Sequence, residues 1–356
     1  MILYRLMGSI LVLTVLAVCS AKTISSPSPN QIVAKVPYNL VTLFLVKRDN
    51  LNNKYRGEIY PIALSIDDRY VEVQFKKNND VTLEAKRTGS KVDLERLTQL
   101  NQNRSFLSAI KNFTIVQRDR KIGKFKVNRL TVSQFSCDSM LVGQGKYHGN
   151  DSLQTLFERI PKNQSGGLRG FMRGKEFDES WRMTLAFSQS PTIPSSPRVQ
   201  SDTTRYRKDL LSFANTLFAQ NATTKSISGE TTIEAISVED LDRDGKPEVF
   251  GIVKRQLNSE AVRQLSANKY RSVQTAHTIL WLNYSESKPV VIFSEVEAEV
   301  LSASRFPTLL GTVDVNGDGV KEVVLQTHGY ESTGFAIYTY KKNKLNQVFN
   351  GSGYGC

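Results

Sequence analysis

Two nine-residue acidic segments constrain this chain more than any other feature. They are Asp240-Leu241-Asp242-Arg243-Asp244-Gly245-Lys246-Pro247-Glu248 and Asp314-Val315-Asn316-Gly317-Asp318-Gly319-Val320-Lys321-Glu322. Each sets side-chain oxygens at positions 1, 3, 5 and 9 and glycine at position 6. Alternate residues of a tight loop point at one centre, and carboxylates gathered there repel one another unless a cation joins them. Calcium accepts roughly 6–8 hard oxygen ligands in a flexible cage. Gly245 and Gly319 permit the sharp turn, and the carbonyls of Lys246 and Val320 at position 7 offer a main-chain ligand. The sequence thus predicts two calcium sites. The first is Asp240, Asp242, Asp244, Lys246 and Glu248; the second is Asp314, Asn316, Asp318, Val320 and Glu322. With four carboxylates against three and an amide, the first is expected to bind more tightly.

The flanks repeat as well. Ile236 and Leu310 stand four residues before the first aspartate, and Val249-Phe250 and Val323-Val324 follow the final glutamate. The pattern is one strand–loop–strand unit used twice, its first aspartates 74 residues apart (314 minus 240). An EF-hand would need a bidentate glutamate at position 12 and flanking helices. Gly251 and Leu325 occupy that position, amid β-forming residues.

These loops resemble the calcium loops of FG-GAP or VCBS-type repeats, the β-blade modules also found in integrin α-subunit propellers. The resemblance covers roughly residues 231–340 and implies Asp240, Asp242, Asp244 and Glu248 as ligands, with Asp314, Asn316, Asp318 and Glu322 as counterparts. Phe250-Gly251 is present, but no Gly-Ala-Pro follows. Two units cannot close a propeller of about 4–8 blades. A small sandwich, or two facing sheets with a helix packed on them, is expected instead. The layout also resembles exported bacterial proteins, a likeness that implies no activity.

The rest of the chain reads as mainly β with a few helices. Leu40–Val46 and Ile59–Ile66 are continuous apolar runs. Val71, Val73 and Phe75 alternate with polar residues, as do Trp181, Met183, Leu185 and Phe187. Phe113–Val116 and Phe125–Val132 read as a hairpin joined through Arg120-Lys121-Ile122-Gly123. A short helix is predicted around Leu153, Leu156, Phe157 and Ile160, capped by Asn150-Asp151, and a weaker one near Leu94 and Leu97. The clearest helix has Asp202 as cap and Tyr206, Leu210, Phe213 and Leu217 on one face. Strands return over 231–340. Pro191, Pro194 and Pro197 mark a linker, so the predicted organisation is 1–21 signal peptide, 22–37 tether, 38–190 basic β domain, 191–201 linker and 202–356 helix with two repeats.

The signal reading rests on Arg5, the apolar run Ile10–Val18 and Ala21 at a cleavage position. The rival is lipidation at Cys19, because Leu16-Ala17-Val18-Cys19 resembles a lipoprotein box whose usual small residue is replaced by Val18. Export places the chain in the periplasm or outside the cell, or lipid-anchored. In that compartment Cys137 and Cys356 permit one disulfide, or remain two unrelated thiols.

Lysine and arginine outnumber aspartate and glutamate 28 to 16 over residues 22–194, whereas 195–356 hold 18 of each. The basic excess therefore lies in the N-terminal half, concentrated on Arg118, Arg120, Lys121, Lys124, Lys126 and Arg129. For an exported chain this allows an anionic envelope polymer, or a protein partner, before nucleic acid, with membrane association only through Cys19; the alternative is a solvated basic face that binds nothing. No catalytic constellation stands out. His148, His277 and His328 are few for acid–base work, and Gly166–Lys175 lacks the spacing of a phosphate loop. The predicted function is a calcium-stabilised, non-enzymatic binding module. The alternative is an exported hydrolase with acids such as Asp67, Asp68 and Glu72 in the N-terminal half.

Overall fold

The computed structural model describes residues 38–49, 51–66, 69–76, 80–84, 111–117, 120–135, 138–160, 181–189, 191, 202–225, 228–257, 273–300, 307–328 and 332–355. The chain is mainly β, and every strand pairing is antiparallel.

The first eight strands are β1 (Tyr38–Asp49), β2 (Lys54–Ile66), β3 (Arg69–Lys76), β4 (Asp80–Glu84), β5 (Asn112–Gln117), β6 (Arg120–Phe135), β7 (Asp138–His148) and β8 (Trp181–Phe187). Their order is β1-β8-β5-β6-β7-β2-β3-β4, and β1 also pairs with β2. Six strands therefore close on themselves, while β3 and β4 extend outward from β2. The closure is uneven. Only Glu58↔Gln144 and Ile59↔Gly143 join β2 to β7, because from Ala63 onward β2 pairs with β3 instead.

The unbroken apolar runs are explained by burial on both faces. Inside the barrel lie Phe44, Val46, Ile59, Phe113, Ile115, Phe125 and Val127. Phe44 and Phe125 meet across the interior with ring centroids 5.3 Å apart. Helix α1 (Leu153–Arg159) adds Leu156 and Phe157 to that core. Its cap is Ser152, whose hydroxyl accepts from Thr155 N–H, rather than Asn150-Asp151; Asp151 instead pairs with Arg159 at 2.7 Å. Residues Arg120–Gly123, expected in the turn of the hairpin, belong to β6, with Gln117 opposite Arg120.

The outward face of β1, β2 and β8 carries Val41, Leu43, Leu45, Tyr60, Ile62, Met183, Leu185 and Phe187. It is covered by a four-stranded meander of β13 (Thr308–Val313), β14 (Glu322–His328), β15 (Ser332–Tyr340) and β16 (Leu345–Gly355), through Leu310, Val324, Phe335, Ile337 and Phe349. The opposite face of that sheet presents Val323, Leu325, Ala336 and Tyr338 to a second meander. This one comprises β9 (Gly229–Glu239), β10 (Glu248–Leu257), β11 (Val273–Asn283) and β12 (Val290–Val300), and contributes Phe250, Ile252, Ile279 and Trp281. Burying side chains of this size contributes about 1.5–3 kcal/mol each.

On the far face of the second meander lies helix α2 (Thr204–Gln220). Its buried stripe is Tyr206, Leu210, Ala214 and Phe218, so Phe213 and Leu217 lie on the flank of the expected face. The N-cap position falls to Thr203, whose side chain makes no capping bond, and Asp202, the expected cap, stands one residue earlier and accepts from Thr204 N–H at 2.9 Å. Gly251 is glycine because the helix approaches here: a Cβ would stand 2.6 Å from Leu210 Cδ2. The layers are thus barrel, sheet, sheet, helix. The residues before and after the predicted linker share one core, and Lys35–Cys356 is one compact unit. Among the described residues no helix is long and apolar enough to cross a membrane.

Candidate metal centre

Each acidic segment joins the first two strands of a meander, β9 to β10 and β13 to β14. The ladders end at Glu239↔Glu248 and Val313↔Glu322, which fixes position 9 opposite the residue preceding position 1. The two loops then fold alike. The position 2 N–H donates to the position 9 carboxylate: Leu241 to Glu248 at 2.7 Å and Val315 to Glu322 at 2.8 Å. The position 6 N–H donates to position 1: Gly245 to Asp240 at 3.3 Å and Gly319 to Asp314 at 3.1 Å. Positions 5 and 7 donate in the same way to the side chains of positions 3 and 5. Position 6 has φ of 83° at Gly245 and 98° at Gly319, the left-handed region that glycine enters without a side-chain clash. Position 4 is left-handed too, at Arg243 (63°) and Gly317 (78°).

Beyond the backbone the loops differ. In the first, Asp240, Asp242 and Asp244 bring carboxylate oxygens within 4.8 Å of one another, which among the described residues is the sole such group. Asp240 is buried, and its Oδ1 has no hydrogen-bond partner; Asp242 and Asp244 face solvent. A buried, unpartnered carboxylate oxygen beside two more carboxylates suits a hard cation. Glu248 stands behind this group, its carboxyl pushed up to about 8 by burial first and then by Asp242, Asp244 and Asp240. Burial, then Asp244, also raises Asp242. Lys246 sends its ammonium to the Ser285 carbonyl at 2.9 Å, away from the carboxylates.

The second loop is more enclosed, with Asp318 alone of its predicted side-chain ligands exposed. Asp314, Val315, Asn316 and Glu322 are buried. Asn39 at the start of β1 donates to the Val315 carbonyl at 3.0 Å. Both Asp314 oxygens are engaged: Oδ1 accepts from Gly317 N–H at 2.7 Å, and Oδ2 from Gly319 N–H and, at 2.8 Å, from Arg243 Nη2. Arg243 is position 4 of the first loop, so one loop supplies a cation to the other. Burial holds the Asp314 carboxyl above its usual range even so, with Arg243 opposing. Burial does the same, more strongly, to Glu322. Asn316 Nδ2 donates to Asp318 Oδ2 at 3.2 Å, and Val320 N–H donates to Asp318. Two further contacts tie the loops together: Lys321 N–H to the Leu241 carbonyl at 2.7 Å, and the Thr312 hydroxyl to Glu239 at 2.7 Å.

Sequence reasoning missed Arg243, because position 4 belongs to no ligand pattern; a cation inside an acidic loop was the available signal. Cys19, Cys137, Cys356, Arg118, Asp67, Asp68 and the Gly166–Lys175 segment lie outside the described residues. Glu72 is buried on β3, His148 is exposed on β7, His277 is buried on β11 and His328 ends β14. No family model matches the chain, and neither a curated protein nor a solved structure is detectably similar to it.

Proposed function

We propose that this protein is an exported, calcium-stabilised interaction module, non-enzymatic, whose ion sites brace the meanders while its barrel meets an anionic partner. The observation that carries the ion part is the first loop's Asp240–Asp242–Asp244 group, with the buried Asp240 Oδ1 unpartnered. The two four-stranded meanders, each opened by such a loop, support the likeness to FG-GAP blades. Export is carried by the sequence alone. The first loop is the stronger site, with dissociation constants in the range of extracellular modules, roughly 10⁻⁴–10⁻³ M. The second loop, with Arg243 already on Asp314, is the weaker.

The anionic partner is supported by the outer face of the barrel. Arg120, Lys121, Lys124, Lys126 and Arg129 are all exposed on β6, and Lys146 is exposed on β7. Lys126 and Lys146 stand directly opposite in the ladder. Like charges so placed are unfavourable until something neutralises them. Calcium titration by calorimetry on the full chain, with melting followed in parallel, tests the ion site. Absence of both heat and a calcium-dependent melting shift would remove it.

A further inference from the structure

The seam of the barrel carries a groove that the ion loops do not explain. Where β2 leaves β7 for β3, a cavity of about 400 Å³ opens, lined by Lys47, Arg56, Glu58, Arg129, Thr131, Val142 and Gln144. The ladder shows how these residues come to share a face. Arg129 lies opposite Gln144, Gln144 opposite Glu58, and Glu58 opposite Leu45. In the neighbouring row Arg56 lies opposite Lys47.

Arg129 reaches this face only because β6 bulges. Phe125 and Val127 point into the barrel core, so plain alternation would turn residue 129 inward as well. The register shift between Val127 and Arg129 reverses the alternation and sends Arg129 and Thr131 outward, in line with Lys124 and Lys126. Bulges are used in this way to re-aim a side chain. A basic stripe of Lys124, Lys126 and Lys146 thereby runs into the groove.

The floor is already paired, and Arg56 Nε also lies 3.6 Å from Glu58 Oε1 at its edge. Lys47 Nζ lies 2.5 Å from Glu58 Oε2 and donates to the Tyr60 hydroxyl at 2.8 Å, which in turn donates to Glu58 Oε2 at 2.7 Å. The Lys47 ammonium also lies over the Trp181 ring, 4.6 Å from its centroid. Burial pushes Glu58 up, but Lys47 and the Tyr60 hydroxyl outweigh it and hold its carboxyl below the usual range, so it stays ionised. Three cationic side chains against one carboxylate leave the groove with an excess of two positive charges. Arg56 and Arg129 are exposed, Arg56 with 68% of its side chain in solvent. Gln144 and Thr131 add neutral polar groups between them.

We infer that this groove binds an oxyanion, a phosphate or sulfate group carried on a molecule of monosaccharide size, gripped by Arg56 and Arg129 above the Lys47–Glu58–Tyr60 floor. Guanidinium forks match such oxygens geometrically as well as electrostatically, and the volume suits a small ligand rather than a bare ion. The inference rests on the barrel being the anion-binding part of the protein and is independent of the calcium loops.

The test titrates inorganic phosphate, inorganic sulfate, glucose 6-phosphate and a sulfated dextran into the full chain. The variants are Arg56→Ala, Arg129→Ala, Arg129→Lys and a distant control, Lys342→Ala. Saturable binding of glucose 6-phosphate or of the inorganic anions is expected. Either alanine variant should weaken it by about tenfold or more, Arg129→Lys by less, and Lys342→Ala not at all, with melting temperatures unchanged. Phosphate against sulfate preference then distinguishes the source of the oxyanion. Binding of the polymer that is indifferent to Arg56 and Arg129, with no saturable binding of the small anions, overturns the groove while leaving an anionic partner in place. Failure of every probe, polymer included, overturns both.

Discussion

Replacing Asp240 by Asn tests the ion site through a change of sign. At the proposed calcium dissociation constant of about 10⁻⁴–10⁻³ M, about 10 mM calcium would stabilise the folded state of the wild-type protein by about 1.4–2.7 kcal/mol. Unfolding entropy near 2.1 cal/mol/K per residue gives a unit of this size, Lys35–Cys356, about 0.7 kcal/mol/K. The expected rise in melting temperature is therefore about 2–4 °C. Asp240→Asn keeps an amide oxygen for the Gly245 N–H but removes the buried charge from a group whose oxygens lie within 4.8 Å. Two unit charges at that separation repel by about 1 kcal/mol even at the dielectric of water. In chelator the variant should thus melt about 1–2 °C above wild type, and on adding calcium it should hardly move. Differential scanning calorimetry with chelator and with about 10 mM calcium gives all four values. A variant that still gains the wild-type increment, or that melts lower in chelator, would refute the assignment of Asp240 as the anchoring ligand.

Arg243→Ala leaves the Asp314 carboxylate, 2% exposed, without its guanidinium, and is expected to cost about 2–3 kcal/mol in denaturant melts. Calcium should recover part of that loss, since the second loop then lacks its internal cation. Gly251→Ala drives a methyl to 2.6 Å from Leu210 Cδ2 and should cost about 1–3 kcal/mol, read as a lowered midpoint with unchanged slope in urea. His277, buried on β11 beside Lys254 and Glu234, has its imidazole pushed from 6.5 to about 3, by burial first and Lys254 second. The unfolded chain binds this proton near pH 6.5 and the folded one only near 3. The stability it protects is therefore intact above about pH 7 and falls as pH drops from about 6.5 toward 3, by about 1.4 kcal/mol at pH 5.5. His277→Gln should flatten that limb of a melting-temperature profile measured from pH 8 to 5.

The parts legible in the sequence were those encoded over one or two turns of chain. The spacing of Asp240 to Glu248, the alternation around Trp181–Phe187 and the apolar stripe of α2 each report a local geometry: the loop turn and the strand and helix are found, but β8 is buried on both faces rather than one and the buried stripe of α2 is rotated off Phe213 and Leu217. The layer order is different in kind. Leu40–Val46 announced burial on both faces of a strand, but nothing in those seven residues says that one face closes a barrel while the other receives Val324 and Ile337. Those partners are supplied by pairings such as Val41↔Phe187 and by packing almost three hundred residues away. The proline-rich stretch after Ser188 suggested a division that the core does not respect. Arg129 shows the same limit on a smaller scale: its face is set by a bulge, and the residues around it carry no mark of one.

The two acidic loops repeat in sequence and in hydrogen bonding, yet their surroundings make them unequal. The first lies at the rim, with Asp242 and Asp244 in solvent, where an ion would enter without stripping protein away. The second is wedged between the first loop and the barrel, held by Asn39 on one side and Arg243 on the other. A desolvated carboxylate demands a cation in either place. At the rim that demand falls to the solvent, whereas in the interior a neighbouring side chain meets it. An ion bound by Asp240, Asp242 and Asp244 would then fix the loop that aims Arg243, so its effect would reach the β13–β16 meander and the barrel beyond without any further ligand. The sequence ranks the two loops by their carboxylates, four against three and an amide; the fold adds Arg243, which already sits on Asp314 and leaves the second loop the weaker of the two proposed sites.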